Sequence, residues 1–388
     1  MKRFAAFIMM CVLLLHLPVI AEEAKDLTAS CEIKVASHAY TAKRVFDRDW
    51  DTYWSGENAG KKITIKSPEP IYGLYICWID NPWDWTIEEK IGSQWQKTEF
   101  EPSSFMHAYY PLNGAKELRL YPTGKRKKWF GISEIFVLGE GEIPAYVQQW
   151  KAPGDSCDLM LVHAHPDDEV LFFGGLLPTY AGERQLNVVT CVLTPSTRNR
   201  TSELLNSLWT VGLTNYPVIG PFHDRYSNSL DKAFKEYGKT KTRRYAVELL
   251  RTYRPQVVVT HDINGEYGHG MHRLAANIMQ YAFDAANDIT KFSDAGQEFG
   301  PWQASKLYLH LYKDNQIVLD WDQPLSRFDG KTGFEIAQLG YEHHLSQHRY
   351  YQFKVEPKDS NYSSYHFGLA NSTVGEDLLK NDFMENIK

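Results

Sequence analysis

The feature that most constrains this chain is an apolar run that ends abruptly in charge: Leu159-Met160-Leu161-Val162-His163-Ala164-His165-Pro166-Asp167-Asp168-Glu169. Residues 158–164 read as a buried strand of a parallel sheet, because strands covered on both faces are continuously apolar rather than alternating. Pro166 fits the first turn of a helix and pushes the residue before it out of helical geometry. Strand, tight turn and helix form the unit of an open α/β sheet, whose ligands sit beyond the carboxyl ends of the strands. His165 and Asp168 are three residues apart, so a turn at a helix start aims both at one point. Imidazole nitrogen with carboxylate oxygen is a zinc-type donor pair. Asp167, between them, points elsewhere and is free to act as a base on water. An acidic helix start that only offsets the dipole needs nothing so specific.

Pro255-Gln256-Val257-Val258-Val259-Thr260-His261 is a second such strand, followed by Gly265-Glu266-Tyr267-Gly268-His269-Gly270-Met271-His272. His269 and His272 share a face if this segment turns helical, and the helix runs on through Leu274 to Phe283. One of them completes a two-His, one-carboxylate site with an open fourth position, the pattern of catalytic rather than structural zinc. The other sits beside a reacting carbonyl. Asp262 and Glu266 are near enough to orient a histidine, and loop capping explains them equally well.

Together the two motifs resemble the PIG-L/LmbE-type family of zinc-dependent N-acetylglucosamine deacetylases, over roughly residues 158–348. The resemblance implies metal ligands at His165, Asp168 and His272, a general base at Asp167, and an oxyanion-stabilising group at His269. Many members read His-Pro-Asp-His at the second motif, where this chain has His269-Gly270-Met271-His272 and keeps both histidines. Arg200, three before Glu203, matches an Arg/Glu pair that members carry near the active site; it binds a substrate hydroxyl or phosphate, or pairs with Glu203. His344, Ser346 and Gln347 are similar to an element late in the family's catalytic region, while His343 and His348 read as surface residues. The implied reaction is hydrolysis of the N-acetyl group of an N-acetylhexosamine glycan (GlcNAc or GalNAc type), giving acetate and a free amine. Zinc, or another divalent ion, is the implied cofactor. The alternatives are a zinc amidohydrolase acting on a non-glycan or thiol-sugar substrate, and a non-catalytic glycan-binding protein.

Strand-like segments at 185–193 and 306–312 alternate with helical periodicity at about 200–211, 241–253 and 332–345. This predicts a C-terminal α/β Rossmann-like three-layer sandwich over residues 155–388. No glycine-rich dinucleotide fingerprint is present, so no nucleotide cofactor follows from the fold. Residues 27–141 instead show short alternating runs at 63–65, 71–76, 117–121 and 132–137, which predict an N-terminal antiparallel β-sandwich. The chain is therefore multidomain, with 142–154 as a short linker between docked partners. Residues 45–54 and the late run 132–135 resemble a discoidin-type, galactose-binding-like module. That resemblance implies a structural calcium at Asp49, Thr52 and Glu134, although an Asx-rich turn accounts for them nearly as well. Trp83 and Trp85, after Asn81-Pro82, are expected at a loop tip where an indole can stack on a sugar; the competing reading puts them, with Trp78, Trp95 and Trp129, in the core or the domain interface.

Lys2 and Arg3, then an apolar run to Ile20 and a small Ala21, read as a secretory signal peptide over residues 1–21, predicting a secreted or periplasmic protein. No other stretch is apolar for long enough to span a bilayer. The 48 acidic residues exceed the 42 basic ones, a formal net charge of −6, which argues against nucleic acid as a partner and leaves an N-acetylated amino-sugar glycan as the expected one. Cys31, Cys77, Cys157 and Cys191 form no metal knuckle; Cys31–Cys77 is the one pair for which export makes a disulfide worth testing. The segment after Tyr351 is polar and turn-rich, and no chemistry is assigned to it.

Overall fold

The computed structural model describes residues 22–36, 38–56, 62–80, 84–100, 104–123, 130–349 and 352–388. The expected leader, Trp83 and Trp129 lie outside the described residues. Two sheets organise the chain, one antiparallel and one mixed.

The first sheet has seven strands. Its path runs Trp54–Gly56, Phe130–Leu138, Ile63–Trp78, His107–Pro122, Trp85–Ile91 and Gln94–Lys97, with Glu32–Val35 also paired to Ile63–Trp78. Where the sequence suggests two short runs, at 63–65 and 71–76, the structure has one strand whose register shifts between Lys66 and Ile71. Pro68 and Pro70 lie in that interval and cannot donate to a ladder, so the strand loosens there. Both halves of the strand, Ile63 and Ile65 on one side of the prolines and Leu74 and Ile76 on the other, contribute to a single apolar core. The two halves of the strand thus share one core although the ladder is interrupted between them. Up to Lys66 the strand alternates buried and half-exposed residues; from Gly73 to Trp78 every residue is buried. The second face of that stretch is covered by Ala24 and Val147, which pack with Tyr75, Cys77, Phe136 and Leu138.

Trp85 departs from its expected loop-tip place. It is only 9% exposed and packs edge-on against Trp78 and Tyr110, because the strand Trp85–Ile91 points it inward. It offers no stacking platform. The residues expected to hold calcium also have other partners. Glu134 is buried and pairs with the Arg48 guanidinium at 2.9 Å, and Thr52 Oγ1 donates to Asp47 at 2.9 Å. Burial pushes the Glu134 carboxyl up to about 7 despite Arg48, and these contacts give a calcium ion no support. Among the described residues all four cysteines are free, so the Cys31–Cys77 bridge does not form.

The second sheet orders its strands Val218–Ile219, Val188–Val192, Cys157–His163, Pro255–Thr260, Lys306–His310, His366–Ser372 and Gln316–Val318. The first five run parallel, and His366–Ser372 pairs antiparallel with both of its neighbours. Side chains alternate between faces, and each face carries its own core. Leu159, Leu161, Val257 and Val259 pack with Leu204, Leu208 and Ile336 of the helices Arg198–Thr210 and Gly333–Tyr341. Met160, Val162 and Val258 pack with Val247, Leu250, Leu274 and Ile278 of the helices Lys239–Tyr253 and Gly270–Ala285 on the other face. Burial on both faces is why the central strands read as unbroken apolar runs. The tail is not inert: His366–Ser372 is a sheet strand, and Asp377 is buried against Lys306 and Tyr308. Its strand is short and carries Gly368, Asn371 and Ser372, which hides it from a search for apolar runs.

The two halves are docked. His107 Nδ1 meets Gln148 Oε1 at 2.8 Å, its Nε2 meets Ser202 Oγ at 3.3 Å, and Gln148 Nε2 donates to Asn206 at 2.7 Å. Among the described residues no helix is long and apolar enough to cross a membrane.

Candidate active site

The first motif does not open a long helix. The strand Cys157–His163 gives way to a single turn, Asp168–Leu171, preceded by Asp167 at φ 113° and ψ −31°. A non-glycine residue held there costs about 1–3 kcal/mol, so something must hold it. Glu169 does. Its buried carboxylate accepts the Asp167 backbone N–H at 2.7 Å and the Ser207 hydroxyl at 2.8 Å, and meets His344 Nε2 at 2.7 Å. The pairing with His344 outweighs burial and lowers the Glu169 carboxyl. The turn is thereby clamped from two helical segments far away in sequence.

Behind the turn the donor atoms of three residues converge. His165 Nδ1 is 3.2 Å from Asp168 Oδ2, His272 Nε2 is 3.3 Å from His165 Nδ1, and His272 Nε2 is 3.5 Å from Asp168 Oδ1. Ligands at about 2.0–2.1 Å in tetrahedral array around zinc stand roughly 3.3–3.4 Å apart; the two histidine nitrogens have that spacing, and Asp168 approaches each of them with a different carboxylate oxygen. His272 presents Nε2 because its Nδ1 meets Glu266 Oε2 at 2.7 Å. The same carboxylate meets His261 Nδ1 at 2.8 Å and His310 Nδ1 at 2.6 Å. One buried acid therefore orients three imidazoles. Burial acts against ionisation of Asp168 and Glu266, but the surrounding histidines outweigh it and hold both carboxyls well below the usual range. Burial, with His261 nearby, lowers His272 to about 4, whereas the Glu266 and Asp168 charges overcome burial and lift His261 to about 10. His269 caps the helix Gly270–Ala285, its Nδ1 accepting the Met271 N–H at 3.2 Å. Burial and the neighbouring His165 and His272 lower it to about 3, so it is neutral near pH 7 with its proton on Nε2.

A cleft of about 290 Å³ opens over this centre, lined by His165, Asp167, Arg200, Asp224, Tyr267 and His269 among others. Arg200 lies in the first turn of the helix Arg198–Thr210, whose N-cap Thr197 accepts the Arg200 N–H. Its guanidinium reaches Asp167 and Asp224, each at 3.3 Å, and the Pro166 carbonyl. Glu203 is not its partner: that carboxylate takes the Ser346 N–H at 2.7 Å and hydroxyl at 2.6 Å. Burial raises the Asp167 carboxyl to about 7, with Arg200 pulling down and Asp168 pushing up.

The structure thus brings His165, Asp167, Asp168, Arg200, His269 and His272 into one place. Asp262 instead caps Asn264 at 3.0 Å. Sequence reasoning missed Asp224, although its signal, an acid following the short strand Val218–Ile219, is the one used for the other loops. His310 and the role of Glu169 carried no local signal, since their partners are 44 and 175 residues away. Phe353, in the tail given no chemistry, lines the cleft.

Residues 160–283 match the family PIG-L, GlcNAc-PI de-N-acetylase. A Frankia alni protein named 1D-myo-inositol 2-acetamido-2-deoxy-alpha-D-glucopyranoside deacetylase 1 is 34% identical over 176 residues, 38% of this chain and 60% of the relative. A deacetylase of the same description from Geodermatophilus obscurus is 33% identical over 178 residues, 39% of this chain and 60% of the relative. Among solved structures, N,N'-diacetylchitobiose deacetylase from Pyrococcus horikoshii is 16% identical with a TM-score of 0.39, covering 50% of this chain and 71% of that one. The chain spans about 60% of the length of these curated relatives. Within it, residues 160–283 are a PIG-L family domain.

Proposed function

We propose that this protein is a zinc-dependent N-deacetylase that releases acetate from an N-acetylhexosamine unit of a glycan. The observation that carries the reading is the convergence of His165, Asp168 and His272, whose donor atoms lie 3.2–3.5 Å apart in pairs, beneath a cleft that also holds Asp167. These three residues would hold the ion. The chemistry a divalent ion supplies in such a place is polarisation of a carbonyl and a lower pKa for water. Asp167 takes the proton of the attacking water; a carboxyl poised at about 7 is matched to that task at neutral pH. Arg200 fixes its orientation. As the acetyl carbon becomes tetrahedral, the Nε2–H of neutral His269 donates to the developing oxyanion, an interaction typically worth about 10²–10³ in rate. The C–N bond then breaks, and Asp167, carrying the proton it took, returns it to the amine; His269 at about 3 has none to spare.

The basic and apolar start supports an exported protein, secreted or periplasmic. The segment 45–54 and the antiparallel sheet support a discoidin-type module at 27–141, a linker at 142–154 and the catalytic domain at 155–388. The test is acetate release from a panel of N-acetylhexosamine glycans, with GlcNAc joined to inositol as one arm because the named relatives act on it. Release that stops with chelator and returns with zinc is the expected result. No release from any member, with zinc bound stoichiometrically, overturns the substrate class.

A further inference from the structure

A second cavity, of about 270 Å³, lies where the two halves meet. Trp50, Tyr75, Phe136 and Tyr146 wall it from one side, and Trp209 of the helix Arg198–Thr210 from the other. The rings are fixed in place. Phe136 stands between Tyr75 and Tyr146, with centroids 5.5 and 5.2 Å away, and Trp50 stacks on His107 at 5.6 Å. Trp209 spends its Nε1–H on the Ala145 carbonyl at 2.8 Å.

The polar lining is also positioned. Gln148 Oε1 accepts from Trp150 Nε1 at 2.9 Å, and Gln148 Nε2 donates to Asn206 Oδ1 at 2.7 Å. That fixes the Asn206 amide and leaves its nitrogen without a partner among the described residues. Thr210 Oγ1 and His343 Nε2 meet at 2.8 Å. The Tyr75 hydroxyl, on a side chain only 1% exposed, completes no hydrogen bond among the described residues; the Cys77 thiol and the Gln148 backbone are its polar neighbours. A buried hydroxyl left unmade normally costs stability, and one on a cavity wall marks where a ligand would complete it.

The lining holds no carboxylate, lysine or arginine, so a charged ligand finds no counter-ion. Aromatic faces with fixed amide and hydroxyl groups between them suit a molecule with apolar C–H faces and a rim of hydroxyls. The volume falls just under the range of about 300–1,000 Å³ typical of drug-sized ligands, which fits one ring rather than a chain. We propose that this interdomain cavity binds a single neutral pyranose sugar, separately from the catalytic cleft. The inference stands independently of the deacetylase reading, because it uses none of the cleft's residues.

The test is tryptophan fluorescence of the full chain titrated with methyl pyranosides of neutral hexoses. Trp50 and Trp209 line this cavity, and no tryptophan lines the catalytic cleft. Tyr146 is 43% exposed, so Tyr146→Ala shortens a rim side chain without hollowing the core. Tyr75→Phe removes a hydroxyl that completes no well-formed hydrogen bond among the described residues and keeps the ring, and thermal unfolding checks that it folds as the parent does. A saturable change with at least one pyranoside is expected, weakened about tenfold or more by Tyr146→Ala and severalfold by Tyr75→Phe. No saturable change with any pyranoside, or one that either variant leaves unweakened, overturns the proposal.

Discussion

In the mixed sheet the strands Cys157–His163, Val188–Val192, Pro255–Thr260 and Lys306–His310 run parallel, so their carboxyl ends share one edge. His165, Arg200, His272 and His310 lie at or just beyond those ends and are linked in pairs through carboxylates: Arg200 and His165 at Asp224, His165 and His272 at Asp168, His272 and His310 at Glu266. In the antiparallel sheet neighbouring ends alternate, and the buried polar groups stay apart. Glu89 is satisfied by Thr98 and Asn113, Glu134 pairs with Arg48 through one oxygen, and His107 is held by Gln148 and Ser202. Parallel topology accumulates titratable groups at one place, which is the requirement for a reaction centre. Antiparallel topology disperses them, which leaves stability and docking as their work.

The sharpest way to break this contrast is Asp167→Asn. If the parallel-sheet edge is the reaction centre, turnover falls about 10²–10⁴-fold, the usual worth of a general base, while metal content measured by elemental analysis stays at the parent level. Wild-type acetate release by the variant would remove Asp167 from the mechanism.

His107 tests the other side. Burial lowers it to about 4 from an ordinary 6.5, so as pH falls below 6.5 the unfolded chain takes the proton first. Its contribution to stability is full above pH 6.5 and is lost progressively down to about pH 4. At 1.36 kcal/mol per pH unit this amounts to about 3 kcal/mol. Urea unfolding of the parent and of His107→Gln at pH 7 and 4.5 should show the difference between them shrinking at the lower pH. A polar group of the first sheet would then govern folding and leave the reaction alone.

Glu266→Gln should have a smaller effect. An amide offers one acceptor oxygen where the carboxylate served three imidazoles, so zinc affinity should drop about 10–100-fold, read by competition with a chelating dye. Unchanged affinity would mean that packing alone orients His272. Smallest of all is Lys25→Ala, which cuts an exposed ion pair to Glu69. Such pairs contribute about 0–1 kcal/mol, and chemical denaturation should barely register the loss.

The chain reports its own local geometry where neighbours in sequence are also partners in space. The apolar strand, Pro166, and the three-residue spacings of His165 with Asp168 and His269 with His272 are of that kind, and those side chains do converge. The alternating runs likewise announce an antiparallel sheet. Tertiary structure alone decided the rest. Clamping the strained Asp167 through Glu169 needs His344, and orienting His272 through Glu266 brings in His310; nothing local links these residues. Arg200 was legible by its spacing to Glu203, yet packing gave Glu203 to Ser346 and Arg200 to Asp224. Trp85 looked like a loop-tip ring until strand pairing turned it inward. Spacing along a chain fixes which groups can share a face, while long-range packing settles which of them meet, because a carboxylate buried away from water must find donors wherever the fold brings them.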